Sequence, residues 1–408
     1  MFDKSTSISL VDASDAFAAE LFSRKKYKEA IQQTEITLSL AEKHLPEAYK
    51  NLSACYSFMF EPQKALESYL KYLDLSKSDS IQDIRKLSDL YAQAGLLDQA
   101  FSTVLNKQQY SSEKFLDTGW HLFRQGKYEE AFYATDAGKK LGNILWIGRE
   151  RYDNLPKCPR WNLENISGKR LCIVGECGLG DEFIFSRWLS RLPEDVDFCY
   201  YTNNTIADVI ERNFPNCKRH SSNNVYDYWV PSMSLPLLLK DYEPNSTSYI
   251  KPNPIFIEKW KAIIKGKKTA VVSWTGSRDY SENYFRNIDI DYLVSKIKDD
   301  YMIYSVCKEA VSCPEGVIDL TSYIESWEDT LAILHLSSIA FCSCSSVAHA
   351  AGAIGKKAFV YTRPDDYFTW SSTESGAKSK WYDSVTVWRT DKIGKWKEVI
   401  DASVRSLA

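Results

Sequence analysis

The sequence predicts an α/β protein, two facing Rossmann-like domains built on doubly wound parallel sheets and preceded by an all-α repeat domain. Three observations carry this expectation. Small residues recur at a near-constant period through the first third of the chain, apolar β-type runs alternate with helical runs through the rest, and a proline-marked segment separates the two patterns. At 408 residues the chain exceeds one ordinary domain of about 100–200 residues. The expected division is 1–150 for the helical domain, 151–257 for the first α/β domain and 258–408 for the second.

The repeat is read from four alanines, Ala30, Ala65, Ala100 and Ala131, which end similar turn sequences at spacings of 35, 35 and 31 residues. An apolar helix precedes each turn, with Leu21-Phe22, Leu52 with Tyr56, Leu87 with Leu90-Tyr91, and Trp120 with Phe123 at equivalent positions. A period near 34 residues with paired helices resembles the tetratricopeptide repeat, over about residues 12–142. Such an array offers a concave surface for a protein partner or for self-association, or it braces the neighbouring domain. Tyr27, Tyr56, Tyr91 and Tyr128 read as inter-helix packing.

The linker Asn154-Leu155-Pro156-Lys157-Cys158-Pro159 discourages both helix and central strand. After it, strands are expected at 170–174, 197–201, 228–230, 269–273, 302–305, 339–342 and 358–361, with helices over 181–192, 206–213, 291–298, 327–335 and 346–353. A last amphipathic helix over 393–407 is expected to cross back to the first α/β domain. Alternating strands and helices imply parallel sheets with right-handed crossovers. Three strand-to-helix turns stand out: Gly175 to Asp181, Ser273-Trp274-Thr275-Gly276, and Ser345 to Gly352. In an open α/β sheet these turns lie at the carboxyl edge, where backbone N–H groups and helix N-termini gather around a phosphate-bearing ligand.

The stretches Lys169 to Asp181, Trp229 to Pro236 and Val347 to Lys356 resemble the tetratricopeptide-linked branch of the heptosyltransferase-like glycosyltransferases, family nine. The resemblance covers about residues 158–400. It implies a GT-B fold, an inverting and metal-independent mechanism, and a nucleotide diphosphate sugar as donor substrate with no further cofactor. By that resemblance Asp181 is the base that takes the acceptor proton. An Asp at this place is equally suited to capping the helix that follows.

Gly178 and Gly180 leave room beside Asp181 for a sugar ring. Ser345 and Ser346 open a helix whose positive end suits a diphosphate. Thr275 lies in the preceding loop, Arg278 and Arg286 can supply a cationic fork, and Arg286 resembles the family position better. Lys308 is a further donor-side candidate, and His349 reads as packing or as a hydrogen bond to the phosphate loop. One departure is visible: the resembling family carries an acid followed by Thr or Ser where this chain has Cys344-Ser345.

The pairs Asp195-Val196-Asp197 and Asp289-Ile290-Asp291 have the form of a metal-binding triplet, yet each also reads as turn or helix-capping chemistry. The aromatic stretches Tyr367 to Trp370 and Trp381-Tyr382 suit either stacking on a base or sugar, or core packing. The ten cysteines are scattered, and Cys172, Cys199 and Cys342 fall in β-type runs as small hydrophobes. No local spacing marks a zinc site. With 44% hydrophobic residues, 26% charged residues and a net charge of −3, the chain reads as globular, with no strong non-specific attraction to nucleic acid. No apolar span of membrane length and no secretory segment is evident, which predicts a cytoplasmic protein. The acceptor stays open among a glycan, a protein and a modified DNA base. An adaptor with a decayed transferase half is the competing expectation.

Overall fold

A computed structural model describes residues 4–40, 46–107, 111–143, 146–202, 206–221, 224–266, 268–278, 280, 283–365 and 367–407. Two compact units divide the chain between Lys114 and Phe115. The first contains three helical hairpins: α1 (Lys4–Ser23) with α2 (Tyr27–Leu40), α3 (Pro46–Phe58) with α4 (Pro62–Ser76), and α5 (Ile81–Gln93) with α6 (Leu97–Lys107). The reason for the period is visible in the turns. Lys25, Phe60 and Gly95 take left-handed conformations, and the alanine five residues after each, Ala30, Ala65 and Ala100, is fully buried where the two helices approach. A larger side chain there would force the helices apart.

Left-handed backbone is costly for a residue with a Cβ. Lys25, exposed with a φ of 60°, is therefore expected to gain about 0.5–1 kcal/mol of stability when replaced by glycine, as read from a urea melt of Lys25→Gly.

A fourth hairpin, α7 (Ser112–Arg124) with α8 (Tyr128–Lys140), follows the same rule, with Gly126 left-handed and Ala131 buried. From Phe115 onward it belongs to the second unit. Phe123 stacks on Phe368 with ring centroids 4.8 Å apart, Phe132 meets Trp188 edge-on, and Trp381 Nε1 donates to the Tyr128 hydroxyl. These large rings bury in a core shared with the α/β elements, so this hairpin is part of that core.

After the short α9 (Arg149–Asp153) the second unit forms two parallel sheets. The first lobe comprises β1 (Arg170–Val174), α10 (Leu179–Ser186), β2 (Asp197–Tyr201), α11 (Ala207–Asn213), β3 (Cys217–Lys218), β4 (Tyr228–Pro231) and α12 (Leu235–Leu239). Its strand order is β3-β2-β1-β4. After α13 (Pro254–Lys261) the second lobe comprises β5 (Thr269–Ser273), α14 (Ile290–Ile297), β6 (Met302–Ser305), β7 (Val317–Asp319), α15 (Trp327–Leu336), β8 (Ile339–Ser343), α16 (Ser346–Ala353), β9 (Ala358–Thr362), α17 (Phe368–Ser371), β10 (Val385–Arg389) and α18 (Lys397–Arg405). Its order, β10-β9-β8-β5-β6-β7, is that of a Rossmann sheet read from one edge. The strands β5, β8 and β9 are buried along their whole length, which suits parallel strands covered on both faces. Two such lobes in one unit, in contact through α10 and α16, make the GT-B architecture.

Two helices differ from their sequence-based bounds by more than one residue. The helix expected over 181–192 starts at Leu179 and tightens into a 3₁₀ turn over Arg187–Arg191. The Leu192 N–H closes that turn on the Leu189 carbonyl, the three-residue spacing of the tighter helix, while the Ser186 and Ser190 hydroxyls and Nε of Arg187 donate to carbonyls of the preceding turn. The helix expected from residue 393 begins at Lys397, because the Thr390 hydroxyl holds the carbonyls of Lys392 and Lys395 in a turn and Gly394 is left-handed. It packs on α14 and β10 of its own lobe rather than returning to the first.

Candidate functional site

The order of strands in a doubly wound sheet reverses at one point, and ligands bind in the crevice outside the carboxyl ends there. In the first sheet that point lies between β1 and β4, and in the second between β5 and β8. Asp181 follows β1, Thr275 and Arg286 follow β5, and Ser345 and Ser346 follow β8. The fold therefore gathers the turns of both switch points along the contact between α10 and α16.

Gly178 caps α10 in extended conformation, and Asp181 is the third residue of the first turn. One carboxylate oxygen accepts the Gly178 N–H at 3.1 Å, so Asp181 completes the cap from inside the helix and is not itself the capping residue. The other accepts the phenolic hydroxyl of Tyr367. Burial pushes the Asp181 carboxyl up to about 6, and the hydrogen bonds from Tyr367 and Gly178, which favour the ionised form, oppose burial without overcoming it. A carboxylate poised near neutrality is suited to taking a proton. Tyr367 is itself backed edge-on by Trp120 of the fourth hairpin. Because the Tyr367 hydroxyl stabilises the carboxylate, Tyr367→Phe is expected to move the Asp181 titration to higher pH, measurable by carboxyl-labelled NMR.

Gly180 serves the packing of two helices. A Cβ at Gly180 would lie 2.9 Å from Cδ2 of His349 and 3.7 Å from Cα of Ser346, so the missing side chain lets α10 and α16 touch. His349 is buried, stacked on Trp370 at 4.8 Å, and shares a hydrogen bond with the Tyr382 hydroxyl. Burial first, then the Arg187 and Arg286 charges, lower its titration to about 3, so the imidazole is neutral and acts as packing. Its hydrogen bond goes to Tyr382 and not to the phosphate loop.

The second-lobe loops are tied together by Asn283, a residue with no motif around it. Its amide nitrogen donates to the Thr275 hydroxyl at 2.9 Å, while its oxygen accepts from the Gly276 N–H and from Nε of Arg286. Arg286 then donates to the Cys344 carbonyl at 3.0 Å, which fixes the guanidinium between the turns after β5 and β8. A Cβ at Gly276 would fall 2.2 Å from Nη2 of Arg286, so any larger residue there would displace the guanidinium from this position. Ser345 caps α16 in extended conformation, and its buried hydroxyl has no hydrogen-bond partner among the described residues. The hydroxyl, the α16 N–H groups and Arg286 thus converge as anion-binding chemistry.

Arg278 and Lys308 do not join this cluster. Arg278 is exposed and donates to the carbonyls of Glu309 and Ala310, and Lys308 donates to that of Ile324. Both brace loops. At Cys344, where the resembling family has an acid, the Trp370 indole N–H donates to the thiol at 3.3 Å. The aromatic C-terminal stretch is mainly core: Phe368, Trp370, Trp381 and Tyr382 are fully buried, and Tyr367 alone reaches Asp181. Asp289 caps α14 through the Tyr292 N–H, which is the capping role open to it in the sequence. A cavity of about 700 Å³ lies beside Arg187, Pro193, Asn213, Asn216 and Asn245, and it is lined by neither Asp181 nor Thr275, Arg286, Ser345 or Ser346.

Comparison with known proteins adds the following. No family model matches the chain. Protein FlbA of Caulobacter vibrioides is 24% identical over 285 residues, which cover 58% of this chain and 46% of FlbA. The chain thus spans less than half the length of that relative. Among solved structures, a glycosyl transferase family 9 protein from Veillonella parvula aligns over 56% of this chain and 87% of its own, at 10% identity and a TM-score of 0.42. An O-GlcNAc transferase from Thermobaculum terrenum aligns over 100% and 91%, at 10% identity and a TM-score of 0.34. Both scores are low, and the GT-B architecture stands on the strand orders themselves. Among the described residues, no helix is long and apolar enough to cross a membrane.

Proposed function

We propose that the chain transfers a glycosyl group, with inversion and without a metal ion, from a nucleotide diphosphate sugar to an acceptor hydroxyl. The juxtaposition of Asp181 with the Arg286–Ser345 anion cluster, one at each switch point, supports this reading. Asp181 takes the proton of the acceptor hydroxyl, and the freed oxygen attacks the anomeric carbon. The bond from that carbon to the diphosphate breaks, and the departing charge is neutralised by Arg286, the Ser345 hydroxyl and the first N–H groups of α16. Tyr367 covers the carboxylate, so acceptor entry requires that ring to swing aside. The acceptor is a glycan, a protein or a modified DNA base, with the helical repeats a surface for a protein partner or for self-association.

One observation favours the second reading, an adaptor whose transferase half has decayed. Tyr367 sits on Asp181, His349 fills the space over Gly180, and Trp370 packs on Cys344, so side chains of the chain itself occupy the junction. A thermal-shift screen of nucleotide sugars on the full chain, followed by donor turnover with and without EDTA, tests the proposal. Turnover insensitive to the chelator supports it. Failure of every donor to shift or turn over supports the adaptor.

A further inference from the structure

The face of the first sheet turned away from α10 carries a cluster outside the site above. Cys172 on β1 and Cys199 on β2 are direct partners in the parallel register, and both thiols are buried. His220, from the segment after β3, lies over them, so that one ring nitrogen and the two sulfurs fall within 4.8 Å of one another. The imidazole is held for this position, with its ring stacked on Tyr201 at 4.3 Å and parallel to that of Tyr226. Nδ1 of His220 has the Cys199 sulfur at 3.6 Å and the Tyr226 hydroxyl at 3.1 Å. Two groups converging on one ring nitrogen, with a second thiol beside them, is more than a single hydrogen bond requires.

The separation is informative. Zinc bonds of about 2.3 Å to sulfur and about 2.05 Å to nitrogen, at the tetrahedral angle, put sulfur and nitrogen about 3.6 Å apart. That matches the observed distance. We propose that Cys172, Cys199 and His220 form a metal site for a zinc-class ion, clipping the segment that carries His220 and Tyr226 to the sheet. The fourth position falls to the Tyr226 phenol, to water or to Cys158. The last is carried by the segment whose Pro159 carbonyl accepts from Trp229, itself the register partner of Cys172 on β4. The two cysteines are 27 residues apart in sequence, so no local spacing reveals the site; parallel pairing creates it.

The site is independent of sugar transfer, and so is its test. Full-length protein, stripped of metal under reducing conditions, is titrated with Co²⁺ and then with competing Zn²⁺. One equivalent of Co²⁺ is expected to give a thiolate-to-cobalt charge-transfer band that zinc displaces. His220→Ala, a change at a half-buried ring, is expected to weaken uptake at least about 100-fold, since even orienting residues around a metal cost 10–100-fold. Absence of the band in the wild-type protein overturns the proposal, whatever the variants do. So does a band that survives unchanged in His220→Ala, or an intact mass lower by two hydrogens that maps to a Cys172–Cys199 disulfide.

Discussion

Asp181→Ala is expected to lower sugar transfer by about 10²–10⁴-fold, the range for loss of a positioned general base, while nucleotide binding survives. The side chain touches Tyr367 and the Gly178 N–H and none of the residues of the anion cluster, so nucleotide binding should be undisturbed. The wild-type pH profile carries the same signature. With the carboxyl held up at about 6, activity should fall as pH drops through that value and level off above it. Stability runs the other way. An acid with a raised folded value keeps its proton where the unfolded chain has lost it. The associated stability, about 3 kcal/mol for a shift of this size, is thus present below the ordinary value of 3.8 and lost as pH rises through about 6. Asp181→Ala should lack that slope, and denaturant melts from pH 4 to 7 on both proteins check it. A residue that only capped α10 would give up the slope without the loss of transfer.

Arg286→Ala is expected to weaken nucleotide diphosphate binding and transfer together, by about 10²–10³-fold, the scale on which a preorganised electrostatic contact acts. The guanidinium is preorganised because Asn283 holds Nε, the Cys344 carbonyl holds Nη1, and Gly276 leaves room for Nη2. Lysine is a point charge without the fork, so Arg286→Lys should recover only part of the loss. By contrast, Arg278→Ala and Lys308→Ala, whose side chains are engaged on loop carbonyls, should leave nucleotide affinity nearly unchanged. Calorimetry on the four variants separates these expectations.

What was legible in the sequence was what period and propensity encode. The alanine spacing located the hairpins because a buried alanine and a left-handed turn are both demanded five residues apart. The strands 170–174, 197–201, 269–273 and 302–305 were readable as apolar runs bounded by turns, and their bounds agree with the structure. The edge strands β3 and β7 were not, since two or three residues half open to solvent carry no pattern. Asp181, Thr275, Arg286, Ser345 and Ser346 were named from the sequence because they follow β-type runs, and the structure places them at the two switch points. Asn283 and Tyr367 were not assigned there because their roles arise from contacts of tertiary structure. Tyr367 meets Asp181 across 186 residues of sequence, a pairing no local pattern predicts. At Gly180 the sequence suggested room for a sugar ring, and the structure adds a second use of the missing side chain, the close approach of α16.

The most direct measurement is calorimetric titration of the full chain with UDP, GDP, ADP and CDP. One of these nucleoside diphosphates is expected to bind without added metal, with Arg286→Ala weakening it and Asp181→Ala leaving it unchanged. Binding of none of the four, by a chain that is folded in the same buffer, would contradict it.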